Sequence, residues 1–303
     1  MEYGQGALLA VLAHPDDESF GMGGTLALYA QRGVAVHLVC ATRGEAGTVG
    51  VEFLHGYDSI ADRRVAELQC AADKLGLAGV HFLDYRDSGM PGSADNHHLQ
   101  ALAAGPLDEV TGRIVERIRK LAPQVVVTFD PIGGYKHPDH IAIHLATLSA
   151  FHQAGDPSYH DGLPPYQPQK LYYQTIPKIF LRIVVWGMKL FGRDPRRYGR
   201  NRDIDLASLA KEGNFPTHAR IDYRPVADIK EAAGQCHISQ IPSGPPRNRL
   251  MRWMQVLVGD REYFMRAYPP PGPGLRESDL FAGVAFSPAQ PEAPALVGVG
   301  ISG

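Results

Sequence analysis

The sequence predicts an α/β protein: a mostly parallel sheet with helices on both faces, plus a smaller C-terminal α+β portion over one edge. Three observations carry this. Short continuous apolar runs alternate with helix-period segments through five rounds, the pattern of buried parallel strands joined by right-handed crossovers. The 303 residues are 44% hydrophobic and 20% charged, ordinary globular usage that excludes disorder, collagen and coiled coil. No segment recurs at a fixed period of roughly 20–50 residues, which argues against a solenoid or propeller.

The elements follow in order. Ala7–Ala13 (ALLAVLA) is apolar throughout, as a strand covered on both faces must be. Gly21–Gly33 reads as a helix, with Leu26, Leu28, Tyr29 and Ala30 apolar and Gly33 as its stop. Val34–Thr42 is the second strand. Ser59–Gly76 is a helix with Ile60, Val65, Leu68, Ala72 and Leu75 near helical spacing, ended by Gly76. Val80–Tyr85 and Leu107–Leu121 give a third strand and a third helix. Val125–Phe129 (VVVTF) is a fourth buried strand, followed by a helix from about Asp139 to Gln153. Leu171–Ile176 is the fifth strand, and a soft domain boundary is placed near 176. Beyond it, Ile179–Phe191 is apolar but interrupted by Arg182 and Lys189. Thr217–Asp222 reads as a further strand, Val226–Ser239 as a helix and Leu250–Ala267 as another. Gln240–Arg249 and Pro269–Gly274 read as connections. The divisions are thus 1–176 as a catalytic domain, 177–286 as a C-terminal cap portion, and 287–303 as an extended tail.

Charge and cysteine usage narrow the function classes. The net charge of −2 and pI of 6.7 lack the basic surplus of a nucleic-acid binder. The charge is uneven, however: residues 178–202 carry +7 and the remainder −9. That segment reads as a solvated helix and loop, with a sharper alternative as an interfacial helix near anionic lipid. Cys40, Cys70 and Cys236 are odd in number and far apart, so they are expected to be reduced, buried residues. No apolar run approaches the ~18 residues of a membrane span. The first apolar run is too short, and wrongly flanked, for a signal peptide. A soluble cytoplasmic protein is expected.

Two clusters carry chemistry, each directly after a buried strand. His14-Pro15-Asp16-Asp17-Glu18 follows the first strand, and Gly133-Gly134-Tyr135-Lys136-His137-Pro138-Asp139-His140 follows the fourth. In an open parallel sheet the strand C-termini share one edge, where ligands bind, so the two clusters are expected to meet. His14, Asp17 and one histidine of the second cluster make a two-histidine, one-carboxylate set. Such a set suits a catalytic zinc with one open position for water. Asp16 beside it suits a general base, His137 a cationic group for an oxyanion or leaving amine, and Tyr135 a donor to a carbonyl. His144, one turn past His140, reads as a helix-face residue, because a fourth ligand would close the water position. Gly21-Met22-Gly23-Gly24 reads as close packing rather than a phosphate cradle. An acidic pair after the first strand also occurs in phosphoacceptor receiver domains, but histidines have no use in an oxygen-only magnesium site.

With these residues in view, the chain resembles the LmbE-like or PIG-L family of zinc-dependent deacetylases, and especially its mycothiol-biosynthesis deacetylase and conjugate-amidase branch. AHPDDE at 13–18 and HPDH at 137–140 match the family's two signature strings. The resemblance extends through Arg64 and Glu67, the Tyr85–Met90 stretch, Val125–His140 and Cys236–Gln240, covering about residues 7–240. It implies a Rossmann-like sheet, metal ligands at His14, Asp17 and His140, and Asp16 as base. It also implies His137 as the electrostatic or acid group, oriented by Asp139, and Tyr135 polarising the carbonyl. Arg64 and Asp87 match sugar-holding positions, and His237 is read with them as substrate-binding. Lys136 departs from the pattern and predicts a preference for an anionic aglycone. The implied activity is removal of the N-acetyl group from a GlcNAc-type glycoside or conjugate, using zinc, or iron in the cell. The alternatives are an amidase of thiol conjugates or a metal hydratase. A small-molecule N-acetyl sugar is the implied partner; the oligomeric state is left open.

Overall fold

The computed structural model describes residues 6–199, 202–212, 214–241 and 260–286. Its elements are β1 (Ala7–Leu12), α1 (Asp17–Gln31), β2 (Ala35–Thr42), α2 (Ile60–Leu75), β3 (Gly79–Tyr85) and α3 (Leu107–Leu121). There follow β4 (Val125–Phe129), the short helical turn α4 (Gly133–Lys136), α5 (Pro138–Gln153), β5 (Lys170–Thr175) and α6 (Lys178–Leu190). The short α7 (Leu206–Leu209), β6 (Ala219–Asp222), α8 (Ala227–Cys236) and β7 (Arg261–Tyr268) complete the described chain.

Seven strands form one sheet in the order β3-β2-β1-β4-β5-β7-β6. β1 through β5 are parallel, and β7 runs antiparallel to both of its neighbours. The order reverses between β1 and β4, so a crevice opens at their C-terminal ends, where an α/β sheet takes its ligands. β1 is buried over Leu8–Leu12 and β4 over its whole length, which is why both read as unbroken apolar runs.

Local chemistry fixes the helix ends. The Ser59 hydroxyl accepts the Asp62 backbone N–H at the start of α2, and Gly76 closes that helix at φ 73°. α5 starts with Pro138 in its first turn, capped by the His137 side chain, which accepts the Asp139 backbone N–H. α1 begins four residues earlier than the helix expected from Gly21, because the HPDDE turn itself winds into its first turn. At Met22 α1 leaves helical geometry, and the Glu262 carboxylate of β7 accepts the N–H groups of Gly24 and Thr25 just beyond (3.0 and 2.7 Å). A Cβ on Gly24 would lie 2.2 Å from the Tyr223 ring, so the glycine run serves close packing, against the C-terminal portion.

Three expectations are corrected. The helix expected over Leu250–Ala267 is not formed in its second half: Arg261–Tyr268 is strand β7, and residues 250–259 lie outside the described chain. β5 is buried along most of its length, so its free edge needs a partner, and the aromatic-rich REYFMRAY supplies one. Cys70 and Cys236 are joined in a disulfide with Cα atoms 5.8 Å apart, and Cys70 is exposed; only Cys40 is the free, buried thiol expected. α2 packs against α8, which brings these two cysteines together across 166 residues of sequence. Finally, the position 176 boundary falls between β5 and β7 of one continuous sheet, so the C-terminal portion is built into the sheet as well as standing beside it. Its α6 and α7 bury Leu181, Val184, Leu206 and Leu209 together, with Ile132 and Tyr135 packed against them. The tail expected over 287–303 lies outside the described residues.

Candidate active site

The turn after β1 and the turn after β4 converge, as the shared sheet edge requires. His14 Nδ1 lies 3.2 Å from His140 Nε2, and Asp17 Oδ1 lies 3.3 Å from that same nitrogen. Asp17 Oδ2 is 3.6 Å from His14 Nδ1 and also accepts the His14 backbone N–H. Tetrahedral coordination at bond lengths of about 2.0–2.1 Å puts donor atoms about 3.3–3.4 Å apart, so this triangle has the span of three ligands around one ion. All three residues are buried or nearly so.

The other nitrogen of His14 is engaged as well. Nε2 lies 3.0 Å from Asp139 Oδ2 and 3.4 Å from Asp87 Oδ1, and carboxylates only accept, so the ring proton sits on Nε2 and Nδ1 is left to bind. A carboxylate behind a ligating imidazole orients it and raises its basicity. Burial opposes a charged His14, but Asp87, Asp139 and Asp17 together hold its pKa well above the ordinary value. The pocket therefore favours positive charge where these residues meet, as a site for a cation must. Other donor groups also lie within 4.8 Å of one another: His14, His137 and His140, and the set His14, Asp87, His137 and Asp139. In the second set one oxygen of each carboxylate is engaged: Asp139 Oδ2 accepts the Ser88 N–H at 2.9 Å and Asp87 Oδ1 the Gly89 N–H at 2.8 Å, while Asp139 Oδ1 is buried without a hydrogen-bond partner.

Asp16 stands beside the triangle in a left-handed conformation at φ 115°, which costs a non-glycine residue energy and recurs at functional sites. Burial pushes its carboxyl up to about 6, against the pull of Arg64. Arg64 donates to Asp16 Oδ2 at 3.1 Å and to the backbone oxygens of Pro15 and Gly44. Expected as a sugar-holding residue, it is buried and ties the turn that presents Asp16 to the turn after β2. Glu18, which sequence reading passed over although it closes the AHPDDE string, accepts the Asp16 N–H at 3.0 Å. Its other oxygen meets His237 Nε2 at 2.7 Å. His237 is fully buried against Glu18, so the structure does not bring it to the open side of the site. Ser239 beside it donates its N–H and hydroxyl to the two oxygens of Glu67.

The second turn is shaped by Asp130, another residue without a signal in its sequence surroundings. Its Oδ1 accepts the N–H groups of Ile132 and Gly134 (3.1 and 2.9 Å). Gly133 turns at φ 64°, and a Cβ there would lie 2.8 Å from that of His140. The His140 ring stacks on Phe129 at 3.8 Å between centroids, and Tyr135 meets it edge-on at 4.9 Å. His137 Nδ1 accepts the Asp139 backbone N–H, so its ring proton is on Nε2. Burial and the neighbouring imidazoles of His14 and His140 push His137 down to about 2, so it is neutral rather than cationic as expected. Asp139 thus contacts His137 through its backbone, while its carboxylate serves His14. Burial drives the Tyr135 phenol far above its ordinary value, keeping the hydroxyl protonated. Lys136 pairs with Glu212 at 2.5 Å, which compensates its charge. His144 points away and binds the Phe129 carbonyl oxygen at 2.9 Å.

Comparison with known proteins identifies the family and the fold. The profile of the family described as PIG-L, GlcNAc-PI de-N-acetylase, matches residues 9–151. A 1D-myo-inositol 2-acetamido-2-deoxy-alpha-D-glucopyranoside deacetylase of Streptomyces avermitilis is 36% identical over 289 residues, 92% of this chain and 97% of its own. Among solved structures, the N,N'-diacetylchitobiose deacetylase of Pyrococcus horikoshii shares the fold at a TM-score of 0.59 and 22% identity, covering 86% of this chain and 83% of its own. A 4-carboxy-2-hydroxymuconate hydratase of Pseudomonas putida shares it at 0.54 and 21%, covering 89% and 99%. One fold therefore carries both chemistries, and the sequence relatives narrow the choice. With more than a third of its residues shared along nearly its whole length, this chain belongs to the PIG-L family.

Proposed function

We propose that this protein is a zinc-dependent hydrolase that removes the N-acetyl group from a GlcNAc-type glycoside, with a GlcNAc-inositol as the preferred substrate. The observation that carries the reading is the triangle of His14 Nδ1, Asp17 and His140 Nε2, with donors 3.2–3.6 Å apart and Asp16 alongside. A nitrogen-rich set with one carboxylate and no thiolate suits zinc, with iron as the other candidate. Bound there, the metal supplies Lewis acidity and acidifies a water to near-neutral pKa.

The chain's own residues do the rest. Asp16, held by Arg64 and by the Glu18–Asp16 backbone bond, takes the proton of the attacking water. Tyr135, kept protonated, donates to the carbonyl oxygen as it gains charge. The neutral His137 offers its Nε2–H as a hydrogen bond to the same oxygen, and the proton taken up by Asp16 passes to the nitrogen, so that the C–N bond breaks to give acetate and the free amine. Asp87, beside His14 at the site, is assigned to a sugar hydroxyl, with Oδ1 already shared between His14 and the Gly89 N–H. The Lys136–Glu212 pair supports a neutral polyol aglycone over the anionic one expected from Lys136 alone.

A panel of N-acetyl sugars, scored for released acetate and amine on protein of measured zinc content, tests the reading. GlcNAc-inositol should lead the panel. Asp16→Asn should keep its metal and lose about 10²–10⁴-fold in turnover, the usual weight of a general base. No acetate from any N-acetyl sugar, with activity on a thiol conjugate or an enol instead, would reassign the protein.

A further inference from the structure

We propose that α6 is a docking surface for anionic membrane lipid, on which the protein lies without spanning. Ile179, Ile183, Trp186 and Leu190 fall at i, i+4, i+7 and i+11 and form one line along the helix. They are 66%, 42%, 67% and 62% exposed, and Phe191 just beyond the helix end is 60% exposed. The opposite face is the buried one, carrying Leu181 and Val184 into the small cluster that also holds Tyr135. The helix therefore buries one side and leaves a continuous apolar line exposed on the other, which water alone does not favour.

The occupant follows from charge. Arg182 and Lys189, seven residues apart, run along one edge of the exposed line, and both are exposed. Arg193, Arg196 and Arg197 follow at the C-terminal end, also exposed. The whole 178–202 segment is +7 in sequence while the remainder of the chain is −9, so the stretch that includes α6 is the basic part of the chain. A second copy docked about a two-fold axis would set two such segments against each other, at a cost in like-charge repulsion. A bilayer surface bearing anionic headgroups receives both parts: the apolar line enters the headgroup–acyl boundary, and the basic edge meets the phosphates. Trp186 at the middle of the line suits that boundary, where its ring is half apolar and half polar. Thirteen residues rise only about 20 Å, short of the ~30 Å hydrocarbon core, so the helix lies in the surface. The inference stands apart from the proposed reaction, since nothing in it depends on the metal or on Asp16.

Flotation of the full chain with vesicles tests it, using phosphatidylcholine alone and phosphatidylcholine mixed with phosphatidylglycerol. Binding is expected only to the mixed vesicles, falling with added salt. Lys189→Gln should weaken it about fivefold, one surface charge's worth, and Trp186→Ser at least tenfold. In a Trp253→Phe background, Trp186 emission should shift to the blue on adding mixed vesicles. Both variants alter exposed side chains, and unchanged melting temperatures confirm that any loss is not unfolding. No binding to either vesicle, or equal binding by Trp186→Ser and the parent, would overturn the proposal. So would a concentration-dependent dimer, seen by sedimentation, that Trp186→Ser abolishes while vesicles bind neither form.

Discussion

His14 illustrates how much of the site one residue can hold, because both ring nitrogens are committed. Nδ1 faces Asp17 and His140, and Nε2 is fixed by Asp139 at 3.0 Å. Asp139→Asn keeps the side chain's shape but removes the charge behind the ring. The expected outcome is a 10–100-fold loss of metal affinity with the fold intact, the usual penalty for losing such a partner. Competition with a chromophoric chelator measures it; an unchanged affinity would mean that His14 is oriented by Asp87 instead. The donor residues were legible in sequence because HPDD and HPDH each pack their ligands into one turn. What those turns lean on was not. Asp139 reaches His14 only because α5 starts against the turn after β1, and Lys136 loses its free charge to a glutamate 76 residues later. The bond from Arg64 to the Asp16 turn was hidden for the same reason: its partners are set by where α2 packs.

Elements were read best where the signal is local. α3 and β4 have the bounds their sequences predict, and Ser59 and Gly76 mark α2 with a cap and a left-handed stop. β7 was misread because its alternation is masked by apolar and aromatic residues on both faces, and the need that decides it is the open edge of β5. The disulfide was missed because nothing in the spacing of Cys70 and Cys236 announces that α2 and α8 are neighbours. Gly24 gives this scale its test. Alanine in place of glycine within a helix is ordinarily favourable by about 0.5–1 kcal/mol. Here its Cβ would sit 2.2 Å from the Tyr223 ring, and forcing extra volume into such a contact costs about 1–3 kcal/mol. The clash wins: Gly24→Ala should lower stability by about 1–2 kcal/mol in urea titration. Adding Tyr223→Ala should return part of the loss, and a stabilised single variant would show that the ring swings away freely.

For the molecule as a whole, the continuous sheet makes stability a shared property of both halves, so a proton taken up in one place is felt throughout. His37 on β2 and His81 on β3 lie side by side, Nδ1 to Nε2 at 3.4 Å, on adjacent strands at one end of the sheet. Burial lowers the pKa of both, and His81 is pushed further by His37 and Arg117. Below its ordinary value near 6.5, each histidine binds a proton more readily in the unfolded chain than in the folded one. Stability from this pair is therefore complete above that value and is lost as pH falls through it toward the folded pKa values. The melting temperature should drop between neutral and mildly acidic pH. His81→Gln removes a titrating ring and relieves His37, so its melting temperature should fall less over the same interval. Carboxylates at the site lose their own stabilisation in acid, but they are common to both proteins, and the difference between the two slopes isolates the pair. Parallel slopes would place the acid sensitivity elsewhere, with buried His144, whose pKa is also lowered by burial, as the next residue to replace.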